Sequence, residues 1–444
     1  MPVLCNYYVT YRCNAKCGFC DIWEQPSPMI ALEDAERNLD DLKRLGVRVI
    51  DFTGGEPLLH KQLPELLQMA KARGFLTTVT SNGLLYPKKA KALAGNIDLL
   101  HFSIDSSVPE EHNASRGVNC FGKLMESIEV AVSLGERPDL LFTVTNESVH
   151  RLDEIYETIS YPNKLMLIIN PLFEYNTLGD QLAIEVMAKM EAFARKPYTY
   201  LNPAFLSLRR AGGNDPEKPV CKAVSTCVVI SPFNELVLPC YHYGLDRLPI
   251  DGQLYDLWQS DTVKRHQEQE GRHSVCKSCT INCYFEPSFA TTPTSKYFWQ
   301  SLPSKVHYSW TKFVVQRLRA RLGDRKAILP EYETLVPKRR PARPKPPVPK
   351  GGEAPSDMIA LPVLDAKRRS GSPPRAGAKP PMPKGDGSAA GVISLPVLDA
   401  KRRPGPPPRA AAKLPPGISP PPSLAATRPP SDPKPRATSP SGRP

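Results

Sequence analysis

Three cysteines, Cys13, Cys17 and Cys20, stand at C-x3-C-x2-C in the stretch Tyr11-Arg12-Cys13-Asn14-Ala15-Lys16-Cys17-Gly18-Phe19-Cys20. They follow directly on an apolar run, Val3 to Thr10, that reads as a β-strand. A cubane [4Fe–4S] cluster takes four ligands, usually thiolates. Three thiolates on one short loop can hold three irons and leave the fourth open to another ligand. Three unrelated thiols, or a zinc site completed from elsewhere, are the plainer alternatives. Zinc sites more often pair C-x2-C knuckles and need no aromatic residue before the last cysteine.

Downstream the pattern alternates between helix and strand. Ala31 to Leu45 has apolar residues at helical spacing and stops at Gly46, a C-cap candidate. Val47–Phe52, Phe75–Thr80, Ile97–Ile104, Leu140–Thr145 and Leu165–Ile169 read as strands. Leu63–Ala72, Phe121–Leu134, His150–Ser160 and Leu182–Ala194 read as helices between them. With the first strand this makes an α/β chain of six strands, and a parallel sheet follows because each return crossover needs a helix. Functional groups are then expected at the C-terminal ends of the strands. Strand 2 runs into Gly54-Gly55-Glu56-Pro57, where paired glycines let a ligand approach the backbone and Glu56 can accept bonds from an ammonium group. Strand 3 ends in Ser81-Asn82-Gly83, a turn in isolation. Strand 4 ends in Ser103-Ile104-Asp105, a hydroxyl and a carboxylate suited to a ribose, and His112 and Arg116-Gly117 follow. The planar fork of Arg116 suits a carboxylate. His101 reads as a core histidine, Cys5 and Cys120 as small buried hydrophobes, and Tyr7 and Tyr8 as structural. Glu174 and Tyr175, past strand 6, are candidates to face a substrate.

The three-cysteine loop with Phe19 before its last cysteine resembles the signature of the radical S-adenosylmethionine (radical SAM) enzymes. The resemblance implies an open, partial (β/α)6 barrel over residues 1–200. It also implies a [4Fe–4S] cluster on Cys13, Cys17 and Cys20 whose open iron chelates SAM. An electron from a donor such as flavodoxin or ferredoxin would then cleave SAM to a 5′-deoxyadenosyl radical that abstracts hydrogen. Gly54, Gly55 and Glu56 match the family's GGEP motif, which contacts the methionine amino group. Ser103, Asp105 and Arg116 fall in a run like the family's S-x-D…H…R-G, near SAM.

A second cysteine set lies beyond residue 200. Cys221, Cys227 and Cys240 are followed by Cys276, Cys279 and Cys283, with a hairpin expected at Ile230–Leu238 and a helix starting at Leu254. Over 201–295 this resembles the SPASM or twitch extension, which binds auxiliary [4Fe–4S] clusters, although Asn234-Glu235 stands where that family usually has Asp-Gly. Two ligand sets are open. One is Cys221, Cys227 and Cys240 with Cys283; the other is Cys221, Cys240, Cys276 and Cys279. Zinc is the alternative metal.

Residues 296–330 read as a basic amphipathic helix, with Trp310, Phe313, Val314, Leu318 and Leu322 at three- and four-residue spacing. Packing of that apolar face on the barrel is expected, with an anionic membrane surface as the alternative. Residues 331–444 hold 29 of the 50 prolines and 21 Lys and Arg against 8 Asp and Glu. The net charge of +13 therefore belongs to this tail, and residues 1–330 carry 37 of each sign. That composition cannot build a packed core, so the tail is expected to be disordered. Its repeat, Leu361–Arg369 and again Leu395–Arg403, reads as a docking motif for a partner or an anionic surface, or as a duplication without function.

No signal-peptide pattern and no run of 18 apolar residues is apparent, and cysteines in metal-ligand spacing point to a reducing cytoplasm. The functional expectation is a radical SAM enzyme modifying a peptide or protein. A small-molecule or lipid-linked substrate is second. A non-catalytic iron–sulfur or zinc scaffold with a nucleic-acid-binding tail is third.

Overall fold

In the computed structural model, which describes residues 1–173 and 182–331, the strand before the cysteine loop is interior to a ten-stranded sheet. In chain order the strands are β1 (Leu4–Thr10), β2 (Val49–Gly54), β3 (Leu76–Ser81), β4 (Leu99–Ser103), β5 (Asp139–Val144), β6 (Leu167–Pro171), β7 (Thr199–Tyr200), β8 (Cys227–Ile230), β9 (Glu235–Leu238) and β10 (Asp246–Pro249). They lie side by side as β10-β9-β8-β1-β2-β3-β4-β5-β6-β7. Every pair from β8 to β7 is parallel, and β9 alone runs against the rest, antiparallel to both β8 and β10. This is the open, mostly parallel α/β sheet that the resemblance implies. Glu174, Tyr175 and the proline-rich tail lie outside the described residues.

Alternation along the strands separates two faces. Cys5, Tyr7, Val9, Ile50, Phe52 and Phe102 are buried with the helices that cover one face. The helix Leu63–Ala72, for example, buries Leu63, Leu66, Leu67 and Ala70 there. Each of these leucines contributes roughly 1.5–3 kcal/mol by leaving water. The intervening residues on the concave face are mostly polar: Asp51, Thr53, Thr78, Thr80, His101, Ser103, Thr143 and Asn170. A face built this way fits a polar chamber better than a packed core.

Two features depart from the sequence reading. First, residues beyond 200 extend the same sheet, because β8 pairs with β1 from Leu4↔Cys227 to Tyr7↔Ile230. Second, the helix Lys296–Trp310, continued through 311–316 and Arg317–Arg321, does not bury its apolar stripe. Trp310, Val314, Leu318 and Leu322 are exposed, while Ser301, Thr311, Lys312 and Gln316 face the barrel. The sheet end beneath the helix is polar and selects polar side chains. Lys312 Nζ donates to Asp139 Oδ1 at 2.7 Å and to the Arg137 carbonyl, and Tyr308 Oη donates to Asp139 Oδ2 at 2.5 Å. No helix among the described residues is long and apolar enough to cross a membrane.

Candidate functional site: a clamped cysteine loop and a second thiol cluster

The loop carrying Cys13, Cys17 and Cys20 leaves the C-terminal end of β1 and is held from three sides. β2 holds its start: Gly55 N donates to Thr10 O at 2.9 Å and Glu56 N to Arg12 O at 2.8 Å. β3 holds its middle, where Asn82 Nδ2 donates to Asn14 Oδ1 at 2.7 Å and lies 3.9 Å from Cys13 Sγ. The C-terminus of the helix Pro109–Arg116 holds its far side, with Lys16 N donating to Arg116 O at 2.9 Å.

The glycines owe their place to this clamp. A Cβ on Gly54 would sit 1.9 Å from Thr10 O, and one on Gly55 2.3 Å from Arg12 O. At Gly117, where φ is +63°, a Cβ would sit 2.4 Å from Lys16 O. In this structure the close approach that these glycines permit is by the cysteine loop itself, rather than by a ligand.

Glu56 is buried, and its carboxylate accepts from Leu58 N at 3.0 Å, Ser81 Oγ at 3.0 Å and Asn82 N at 2.8 Å. Burial lifts its pKa to about 7 against those three donors. The side chain thus ties β2 to β3 directly behind the loop. Arg116 is also buried; its Nη2 donates to Asp105 Oδ1 at 2.7 Å, and its Nη1 lies 3.8 Å from Cys17 Sγ. Burial pulls the Arg116 guanidinium down, but Asp105 and Cys17 outweigh it and raise its pKa. Its Nε is buried with no hydrogen-bond partner, a donor left over beside the cysteine loop. Asp105 also accepts from Ser115 Oγ at 2.7 Å, and the Asp105 amide donates to His112 Nδ1 at 3.2 Å. Ser103 is half-buried at the end of β4, on the concave face. The structure therefore brings Gly54, Gly55, Glu56, Asn82, Asp105 and Arg116 together around the loop.

The loop fits an iron–sulfur cluster by its donor set. All three cysteines are free, and Cys20 is exposed. Burial is the main cause that pushes the Cys13 thiol up to about 11, and it raises Cys20 as well. Loss of the protons therefore calls for an added cation such as iron.

The downstream cysteines divide. Cys221, Cys240, Cys276 and Cys279 line one small enclosed cavity of about 20 Å³, whose other walls include Ala223, Ile281 and Phe285. Cys227 and Cys283 do not line it. Cys221, Cys240, Cys276 and Cys279 are thus the cysteines that the fold brings to one place downstream of the barrel. Cys227 is buried on β8, and Cys283 is exposed at the start of the helix Asn282–Ala290. Desolvation, then the nearby Asp51 of the concave face, raise the pKa of the Cys283 thiol.

Three groups on that face were not singled out from the sequence as site residues. Asp51 accepts from Thr78 Oγ1, and burial raises its pKa. His101, expected in the core, lies half-buried with Nδ1 3.2 Å from Thr80 Oγ1 and Nε2 3.5 Å from Asp139. Tyr8 stacks on Tyr241 with ring centroids 4.3 Å apart, whereas Tyr7 points into the helix-covered core. A polar residue at every second strand position is the signal that could have found Asp51 and His101.

The family model of the Radical SAM superfamily matches residues 7–159. Those residues are a radical SAM domain. S-adenosylmethionine-dependent nucleotide dehydratase RSAD2 of Siniperca chuatsi is 40% identical over 111 residues, 24% of this chain and 31% of that protein. GTP 3',8-cyclase of Chlorobaculum tepidum is 39% identical over 103 residues, 22% of this chain and 31% of that protein. These matches span about a third of each relative and fit within the length of the radical SAM domain. The crystal structure of Streptococcus suis SuiB bound to S-adenosylmethionine has a TM-score of 0.50 at 18% identity, covering 64% of this chain and 74% of that chain. That likeness shows the fold and extends it past the radical SAM domain.

Proposed function

We propose that the chain is an enzyme that cleaves S-adenosylmethionine reductively and abstracts hydrogen from a peptide or protein substrate. The observation that carries the reading is the clamp on the cysteine loop: three thiols with one loop conformation, fixed by β2, β3 and the Arg116 turn. Cys13, Cys17 and Cys20 would hold the [4Fe–4S] cluster, and Glu56, Arg116, Asp105 and Ser103 surround the place for SAM. Bound there, the cluster and SAM supply the chemistry: one electron, from a donor such as flavodoxin or ferredoxin, splits SAM to methionine and a hydrogen-abstracting 5′-deoxyadenosyl radical.

The chain's own residues do the positioning. Asn82 and Arg116 set N–H donors 3.9 and 3.8 Å from the Cys13 and Cys17 sulfurs, where they would face a bound cluster. Glu56 fixes the Asn82 backbone, and Asp105 fixes the Arg116 fork, so neither donor has to be ordered when a ligand arrives. The polar concave face gives a substrate hydrogen-bonding partners below the loop. Cys221, Cys240, Cys276 and Cys279 would hold one auxiliary [4Fe–4S] cluster in a SPASM- or twitch-like extension. Four thiols on one cavity is the donor number that one [4Fe–4S] cluster or one zinc ion takes, and the resemblance to the SPASM or twitch extension favours the cluster.

The peptide reading is supported by the likeness in fold to Streptococcus suis SuiB, a structure of which is bound to the precursor peptide SuiA, over 64% of this chain. A small polar molecule is the second reading, favoured by the names of the nucleotide-acting relatives that match the barrel. Anaerobically reconstituted, dithionite-reduced protein should form 5′-deoxyadenosine from SAM. Replacing Cys13, Cys17 and Cys20 together with alanine should abolish it. Product at the parental rate from the triple variant overturns the assignment. Stimulation of SAM cleavage by candidate peptides, or by nucleotides, separates the two substrate readings.

A further inference from the structure

The helix over residues 296–322 is amphipathic in the opposite sense to an ordinary surface helix. Towards the barrel it turns Ser301, Lys312 and Gln316, each 5% exposed or less. Towards solvent it turns Trp299, Val306, Trp310, Leu318 and Leu322, each at least 55% exposed, with Val314 between them at 42%. From Val306 these residues recur every fourth position, so they form one stripe along the helix. Exposing two tryptophans and four aliphatic side chains in a row costs solubility unless something covers them. Beside the stripe is a shallow groove of about 440 Å³ lined by Lys305, Val306, Ser309, Trp310, Phe313 and Val314.

Charge decides what fits. No Asp or Glu occurs between Glu286 and Asp324, a span that contains Lys296, Lys305, Lys312, Arg317, Arg319 and Arg321. Lys305, Lys312 and Arg319 are paired with Glu286, Asp139 and Asp324, whereas Arg317, with Asp98 3.7 Å away, and Arg321 are exposed beside the stripe. The chain's own tail is a poor occupant, since residues 331–444 carry 21 Lys and Arg against 8 Asp and Glu. A second copy would set one basic helix against another. A negatively charged surface with an apolar interior complements both features.

We propose that the outward face of this helix anchors the protein on an anionic lipid bilayer. Trp299 and Trp310 sit at headgroup depth, Val306, Val314, Leu318 and Leu322 enter the acyl boundary, the groove accepts an acyl chain, and Arg317 and Arg321 meet lipid phosphates. The helix packs on Arg137, Asp139 and Lys164, at the N-terminal ends of β5 and β6. The cysteine loop leaves the opposite ends of the strands and stays open to water and to an electron donor. Lipid attraction to the tail's positive charge acts in the same direction.

Co-sedimentation with phosphatidylcholine vesicles, with and without phosphatidylglycerol, tests the proposal on the full chain and on a chain ending at Glu331. Both should bind the anionic vesicles, with a blue shift of tryptophan emission, and raised salt should weaken binding. Trp310→Ser with Leu318→Ser, and separately Arg317→Gln with Arg321→Gln, should each reduce binding by at least about tenfold. All four positions are exposed, so unchanged circular dichroism is expected. Equal binding to neutral and anionic vesicles, parental binding by either double variant, or binding that requires the tail overturns the proposal. So does a dimer that the Trp310→Ser, Leu318→Ser pair converts to monomer without change in lipid binding.

Discussion

Gly55 has no room for a methyl group because the carbonyls of Tyr11 and Arg12 occupy its Cβ position at 2.4 and 2.3 Å. Backbone cannot move aside as a flexible side chain can, so Gly55→Ala displaces the start of the cysteine loop. The expected result is a folded protein whose reconstituted loop holds less than half the parental iron, read by iron assay beside circular dichroism. The sequence showed Gly54-Gly55 as a place of close approach but not what approaches, because residues some 40 positions apart meet only in the folded sheet. His112 offers a second test. It is buried, and burial, then the nearby Arg116, lower its pKa to about 4 from 6.5. The unfolded chain takes up this proton near pH 6.5 and the folded chain only near pH 4, so this contribution to stability is lost as pH falls between those values. The loss reaches about 3 kcal/mol when the window has been crossed. Glu56, whose pKa burial lifts to about 7, acts in the opposite sense over much of the same range, so the loss is read as the difference between parent and His112→Gln in urea titrations from pH 7.5 downward.

At the scale of elements, periodicity identifies which residues share a face but not which face turns inward. Strand alternation was legible because one side of the sheet is apolar, and the helix Leu63–Ala72 fell where spacing put it. The helix over 296–322 was read the wrong way round because Asp139 and the Arg137 carbonyl, which demand Lys312 beneath it, come from a distant strand. The downstream cysteines carry the same lesson: spacing left two ligand sets open, and only the fold puts Cys276 and Cys279 beside Cys221 and Cys240. A chain with Cys227→Ala and Cys283→Ala should therefore keep about 8 Fe after anaerobic reconstitution, two four-iron clusters. Cys276→Ala with Cys279→Ala should lower it to about 4 Fe and leave SAM-dependent spectral changes in place. The reverse pattern of iron loss would return the ligand set to Cys227 and Cys283.

For the whole molecule, the question is where the folded unit stops. Composition changes near residue 331, and a cut at the end of the last helix, near Gly323, looks harmless from sequence because 324–330 has little periodicity. The structure shows these residues strapped to the barrel. Asn163 Nδ2 donates to Ile328 O at 2.6 Å, and Ile328 N donates to Asn163 Oδ1 at 2.6 Å. Ala327 and Leu329 pack against the main core, and the largely buried Arg137 donates to the Asp324 carbonyl. Removing the strap leaves Asn163 and Arg137 short of partners, at a cost of about 1–3 kcal/mol for each unsatisfied buried group. A chain ending at Glu331 should melt with the full-length protein, because its composition-poor tail adds no core. A chain ending at Gly323 should melt several degrees lower and unfold at lower urea. Equal melting temperatures for the two truncations would mean that the strap contributes nothing, and a drop already present at Glu331 would place folded structure in the proline-rich tail.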